Sequence, residues 1–127
     1  MLKDTPTMIT FSTDDLDAAK QFYTEKLGLD VDDSMPGMLQ LKVPGNTVML
    51  YAKKNHQPAT YTVLNFTVPD LPAAMRELEG KGVVFERYDL PDIKTDDNGV
   101  VDYGAMKIAF FNDPAGNNHA VLEMTAR

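Results

Sequence analysis

The chain has 127 residues, of which 43% are hydrophobic and 24% charged, enough for one domain with a substantial core. Its net charge of −7 opposes phosphate backbones and anionic lipid surfaces, so neither nucleic acid nor a membrane is an expected partner. Cysteine is absent, which excludes disulfides, thiolate zinc sites and cysteine nucleophiles together. Met1 to Thr10 has no apolar run of the signal-peptide kind, and no stretch reaches transmembrane length, so the expected location is the cytoplasm.

In chain order, Met8 to Ser12 reads as a strand, with Ile9 and Phe11 on one face and Met8, Thr10 and Ser12 on the other. Thr13 or Asp14 is the expected cap of a helix in which Leu16, Ala19, Phe22, Tyr23 and Leu27 recur at helical spacing, with Gly28 as its stop. Leu29 to Asp33 and Met38 to Val43 read as strands. Pro44-Gly45-Asn46 supplies a hairpin turn before a fourth strand, Thr47 to Ala52. Lys53 to Ala59 is a polar link. Tyr61 to Val68 is rich in β-branched and aromatic residues and predicts a fifth strand. Asp70 opens a second helix with Pro72 in its first turn and the stripe Leu71, Ala74, Met75, Leu78, ending at Gly80-Lys81-Gly82. Val83 to Arg87 predicts a sixth strand, and Asp89 to Gly104 a long polar loop. Met106 to Phe111 and Asn118 to Met124 are the last two strands, joined by Asp113-Pro114-Ala115-Gly116-Asn117.

The order repeats. Phe11, Asp15 and Leu16 are echoed by Phe66, Asp70 and Leu71, each 55 residues later. Pro44-Gly45-Asn46 is echoed by Pro114-Ala115-Gly116-Asn117. Such a period signals one supersecondary unit used twice, each unit needing a neighbour to cover its apolar face. The pattern predicts an α+β fold of two tandem β-α-β-β-β modules, 7–52 and 61–124, joined by the linker 53–60 within a single domain, 1–127.

Two such modules, an Asp-Leu helix start in each and an Asp-Pro-x-Gly-Asn turn before the final strand resemble the vicinal oxygen chelate superfamily of glyoxalases, bleomycin-resistance proteins and extradiol dioxygenases. The resemblance runs from Met8 to Met124, and small glyoxalase-like bacterial proteins are the nearest in kind. It implies a mixed sheet curled into a cup that holds ligand or metal, and a homodimer. It also implies four metal-ligand positions: seven residues before each Asp of the Asp-Leu pairs, and three residues past each turn asparagine. These positions hold Met8, Val63, Met49 and Ala120. Thioether and hydrocarbon side chains cannot serve zinc, nickel, manganese or magnesium, which take imidazole or oxygen donors. No cofactor is therefore expected, unless a divalent metal is held by displaced ligands.

Strand alternation surrounds those four positions with Thr10, Ser12, Tyr51, Tyr61, Asn65, Thr67, Leu122 and Met124, and the resemblance implies that Met106, Ile108 and Phe110 join them. His56, in the linker, lies near the expected rim. The predicted ligand-binding set is thus Met8, Thr10, Met49, Tyr51, His56, Val63, Asn65, Ile108, Phe110, Ala120, Leu122 and Met124: greasy walls with few polar groups, as small-molecule sites have. The same stripe also describes a plain core. Alternation turns His119 away from the set, toward a structural or surface role. Glu86 or Tyr88 could be a lone acid or polar anchor, or Glu86 half of an edge charge pair. Asp96-Asp97-Asn98-Gly99 lacks the ligand series of a calcium loop and reads as a solvated turn.

Three functions are compatible with these residues. One is a glyoxalase- or bleomycin-resistance-like protein that binds a small, partly apolar molecule without the usual metal site. Another is a lyase, isomerase or dioxygenase of the superfamily's type using displaced ligands, or metal-free acid–base chemistry from His56, Glu86 or Tyr51. The third is a dimeric interaction module with a filled cup. Whether the protein is an enzyme stays open at this level.

Overall fold

A computed structural model of the chain describes residues 1–124. The chain divides into two compact units, the first Met1–Gln57 and the second beginning at Pro58. Each repeats the same plan.

In the first unit, strand β1 (Met8–Thr13) leads to helix α1 (Leu16–Gln21), which continues as a π-helical turn over Phe22–Lys26. Strands β2 (Asp30–Asp32), β3 (Met38–Val43) and β4 (Asn46–Ala52) follow. The sheet order is β1-β4-β3-β2, with β1 parallel to β4 and the other pairs antiparallel. The cap of α1 is Asp15, not Thr13 or Asp14: its carboxylate accepts the Ala18 N–H at 3.0 Å. Thr13 is buried, and its hydroxyl accepts the Asp15 N–H at 3.2 Å, so it shapes the entry to the helix without capping it. Phe11, Leu39, Leu41, Val48 and Leu50 are buried, as are Ala19, Phe22 and Tyr23 of the helical stretch. The Phe22 and Tyr23 rings meet edge to face at 5.2 Å. The turn between β3 and β4 puts Gly45 at φ +83°, a left-handed conformation that costs glycine nothing.

In the second unit, β5 (Leu64–Thr67) leads to α2 (Leu71–Gly80), capped by Asp70, whose carboxylate accepts the Ala73 N–H at 3.0 Å. A two-strand hairpin follows, β6 (Asp89–Leu90) and β7 (Ile93–Lys94), then β8 (Val100–Asp102), β9 (Met106–Asn112) and β10 (Asn118–Met124). The main sheet runs β5-β10-β9-β8, again with the first pair parallel. The repeat extends to register: Thr10 lies opposite Met49 in one unit, and Asn65 lies opposite Ala120 in the other. The architecture is the α+β one the repeat predicts, with two four-stranded mixed sheets.

Three expectations change in the second unit. The fifth strand is shorter than 61–68, beginning at Leu64. The sixth strand, expected over Val83–Arg87, shrinks to a single bridge, Phe85 opposite Phe111. The edge of β9 is instead shared, because β8 pairs with its first half at Val100–Ala109, Val101–Ile108 and Asp102–Lys107. Consequently the expected loop over 89–104 is largely structured.

The turn between β9 and β10 shows why Asp-Pro-x-Gly-Asn suits its place. The buried Asp113 carboxylate accepts the Ala115 and Asn117 N–H groups at 3.0 and 2.8 Å, and the Asn117 side-chain amide at 2.9 Å. Hydrogen bonds to an ionised acceptor are stronger than neutral ones, so one side chain closes the whole turn. Gly116 sits at φ +84°, and an added Cβ would meet Pro58 Cγ at 3.3 Å. His119 is fully buried, its Nε2 3.8 Å from Asp113 Oδ2 and its ring centroid 5.7 Å from that of Phe111. Val83, Phe85, Val121, Leu71 and Met75 of the same unit are buried as well, and of the two roles expected for His119 the structural one applies.

Candidate functional site

In the first unit, residues opposite one another on paired strands share a sheet face. Thr10 faces Met49 and Ser12 faces Tyr51, so Met8, Thr10, Met49 and Tyr51 lie on one face, with Met38 and Gln40 of β3 opposite Tyr51 and Met49. Met49 is 5% exposed, whereas Met8 is 56% exposed. His56 joins this face from the linker: its Nδ1 lies 2.6 Å from Ser12 Oγ. A linker residue is thereby fixed to the first strand, 44 positions away in sequence.

In the second unit, Asn65 faces Ala120, Ala120 faces Phe110, Leu122 faces Ile108 and Met124 faces Met106. These form the corresponding face. Val63 lies just before β5 and donates its N–H to Asn118 O at 2.7 Å. Asn65 and Met124 are exposed. Ile108, Phe110, Ala120 and Leu122 are buried in a cluster with Val101, against which Tyr88, Ile93 and Met106 pack. Burying side chains of this size stabilises by about 1.5–3 kcal/mol each. Part of the expected binding set is therefore already packed, beneath Tyr88 and the β6–β7 hairpin.

Beside that cluster lies a groove of about 340 Å³. Its aromatic and aliphatic walls are Tyr61, Tyr88, Leu90, Ile93 and Phe110, and its polar lining includes Thr62, Asn112 and Asn118. The Tyr88 ring stands edge-on to Phe110, centroids 5.6 Å apart at 68°. A chain of side-chain hydrogen bonds crosses the strand ends. Thr62 Oγ1 donates to Asn118 Oδ1 at 2.8 Å, Asn118 Nδ2 donates to Asn112 Oδ1 at 3.1 Å, and Asn112 Nδ2 donates to Glu86 Oε1. Glu86 is thus held by an amide, and among the described residues it forms no charge pair, which was one expectation for it. Burial raises the Tyr88 phenol above the usual tyrosine range, the nearby Glu86 carboxylate raises it further, and hydrogen bonding with Asn118 opposes both.

Of the groove's residues, sequence reasoning singled out Phe110, Tyr61 and Tyr88 and missed Thr62, Leu90, Ile93, Asn112 and Asn118. Leu90-Pro91-Asp92-Ile93 held a usable signal: two aliphatic residues flanking Pro-Asp are what a tight hairpin needs, and Leu90 indeed pairs with Ile93.

Two further hollows flank α2. One, of about 300 Å³, is lined by Arg76, Glu79 and Arg87 with Met75 and Val100. The other, of about 490 Å³, carries Asp70, Asp96, Lys107 and Glu123. Its carboxylates already serve the backbone: Asp70 accepts from Ala73, Asp96 from Asn98 and Val100, and Glu123 from Leu71 at 2.7 Å.

Among the described residues, no three His, Asp or Glu side chains are grouped as metal ligands. Met8 and Met49 offer thioethers, and Val63 and Ala120 no donor at all, so this set does not fit a hard or borderline divalent ion. Nor, among the described residues, is any helix long and apolar enough to cross a membrane.

The fold is shared with solved structures of known kind. A glyoxalase family protein from Bacillus anthracis is 17% identical, with a TM-score of 0.73 and 96% of each chain covered. TnmS3, an antibiotic binding protein from Streptomyces sp. CB03234, is 23% identical, with a TM-score of 0.63, covering 96% of this chain and 98% of its own. The fosfomycin resistance protein FosX from Listeria monocytogenes is 14% identical, with a TM-score of 0.69, covering 94% and 92%. At these identities the likeness is one of fold. No curated protein matches the sequence significantly. The sequence model of one family, however, matches residues 6–121, a span that takes in both repeated units, both Asp-Leu caps and the Asp-Pro-x-Gly-Asn turn: the chain belongs to the glyoxalase/bleomycin resistance protein/dioxygenase superfamily.

Proposed function

We propose that this protein is a binding protein that holds a small, partly aromatic molecule without a divalent metal, and that it works as a homodimer. The observation that carries the reading is the groove beside Phe110: aromatic walls from Tyr61 and Tyr88 around a short hydrogen-bonded amide chain. Apolar walls supply affinity, and a few fixed polar atoms supply orientation. The apolar character of Met8, Met49, Val63 and Ala120 supports the metal-free part. The antibiotic binding and fosfomycin resistance proteins that share the fold support small-molecule capture as a use for it. The homodimer rests on the family resemblance.

Amide NMR of the labelled protein tests the reading. Titration with a panel of neutral aromatic compounds is expected to shift the resonances of Tyr88, Phe110, Asn112 and Asn118 in a saturable way. Shifts scattered over both units, or none at millimolar compound, contradict it.

A further inference from the structure

The groove has polar groups whose orientation is set by their neighbours. Asn118 gives its oxygen to the Thr62 hydroxyl and one amide hydrogen to Asn112. Both ends of the Asn118 amide are thus engaged, which fixes it in the groove. Tyr88 lines the groove together with Asn118, its ring edge-on to Phe110 with centroids 5.6 Å apart. The neutral Tyr88 phenol carries one O–H proton to give. That proton belongs to a side chain lining the groove, next to Phe110 and Ile93. The surroundings also bear on charge. Glu86 acts on the Tyr88 oxygen as a negative charge, and the chain as a whole carries −7, so a carboxylate placed at Tyr88 meets repulsion where a neutral oxygen does not.

We propose that Tyr88 selects the ligand: the groove takes a neutral, planar aromatic carbonyl compound whose oxygen accepts the Tyr88 phenol proton. This rests on the binding function proposed above and narrows it to a ligand class. An aromatic ring suits the space between Tyr61 and Phe110, since ring pairs gain from offset and edge contacts. The carbonyl supplies an acceptor for the phenol proton. A hydrogen bond of this kind changes affinity by about fivefold.

Three naphthalenes of similar size separate the terms: acetonaphthone has the neutral acceptor, ethylnaphthalene has none, and naphthoate carries a charge. Their affinities for the wild-type protein and for Tyr88→Phe are measured by calorimetry or ligand-observed NMR. Wild type is expected to bind acetonaphthone about fivefold more tightly than ethylnaphthalene, and naphthoate most weakly. In Tyr88→Phe the preference for the ketone is expected to vanish, while ethylnaphthalene binds as before, because the ring that packs on Phe110 is kept. An unchanged far-ultraviolet dichroism spectrum and a cooperative thermal transition verify that the variant is folded. A ketone preference that survives in Tyr88→Phe, no preference in wild type, or naphthoate as the tightest ligand overturns the assignment of Tyr88 while leaving the binding function standing. Failure of all three compounds to bind overturns both.

Discussion

Within the groove lining, Tyr88 is a titratable group shifted by its surroundings. Burial is the larger cause of the raised Tyr88 pKa and the Glu86 charge the smaller. The folded protein therefore keeps the phenol proton at a pH where an unfolded tyrosine, near its ordinary value of about 10, has lost it. The contribution to stability is fully present below that value and is lost as the pH rises through the folded one. Glu86→Gln keeps an oxygen to accept from Asn112 but removes the charge. It is expected to bring the Tyr88 titration down toward the ordinary range, followed by tyrosinate absorbance and assigned by its disappearance in Tyr88→Phe. A titration that Glu86→Gln does not move contradicts the electrostatic coupling. On the other unit, Ser12 and His56 show a different use of a polar pair: their 2.6 Å contact ties linker to strand and fixes an imidazole on the sheet face that carries Thr10 and Tyr51.

Among elements, the two helix starts are one device used twice. Asp15 and Asp70 each accept the N–H three residues on, at 3.0 Å in both cases, so each satisfies a donor that the first turn leaves open. Asp15→Ala and Asp70→Ala are each expected to cost about 1 kcal/mol in urea unfolding, whereas Asp14→Ala, one position earlier, is expected to change little; equal effects at Asp14 and Asp15 contradict the cap assignment. Much of this level was legible in the sequence. Strands β3 and β10 lie where alternation and turn residues place them, because Pro44-Gly45 and Asp113 to Asn117 are strong local punctuation. The first helix cap was misplaced by one or two residues, since Thr13, Asp14 and Asp15 are all competent caps and only the backbone geometry chooses between them. The sixth strand failed for a less local reason. Val83 and Phe85 are buried and Val84 is exposed, so the alternation is real. Pairing is decided by what else competes for the edge of β9, and β8 takes half of it. That competition is tertiary and leaves no mark on residues 83–87. It also hid most of the groove, whose lid is the hairpin that the acidic, proline-containing stretch after Asp89 disguises as a loop.

At the scale of the whole molecule, the duplication repeats backbone architecture more closely than surface chemistry. Register, cap and turn recur, down to Thr10 opposite Met49 and Asn65 opposite Ala120, while the corresponding faces differ. In the first unit Met8, Thr10 and Tyr51 stay exposed; in the second, Ile108, Phe110 and Leu122 are packed under Tyr88 and Ile93. A fold that holds its shape through backbone pairing and buried apolar side chains can change these faces without changing its plan, so membership of the superfamily establishes the fold and not the chemistry. The choice between metal-dependent catalysis and metal-free binding therefore falls to the donors at the family's ligand positions and to the groove. Native mass spectrometry of protein purified without chelator or affinity metal, before and after addition of acetonaphthone, tests this most directly. The expected result is a dimer of metal-free chains that takes up one aromatic molecule per chain. One divalent metal ion per chain would contradict the account and bring His56 and the acidic residues forward as its ligands.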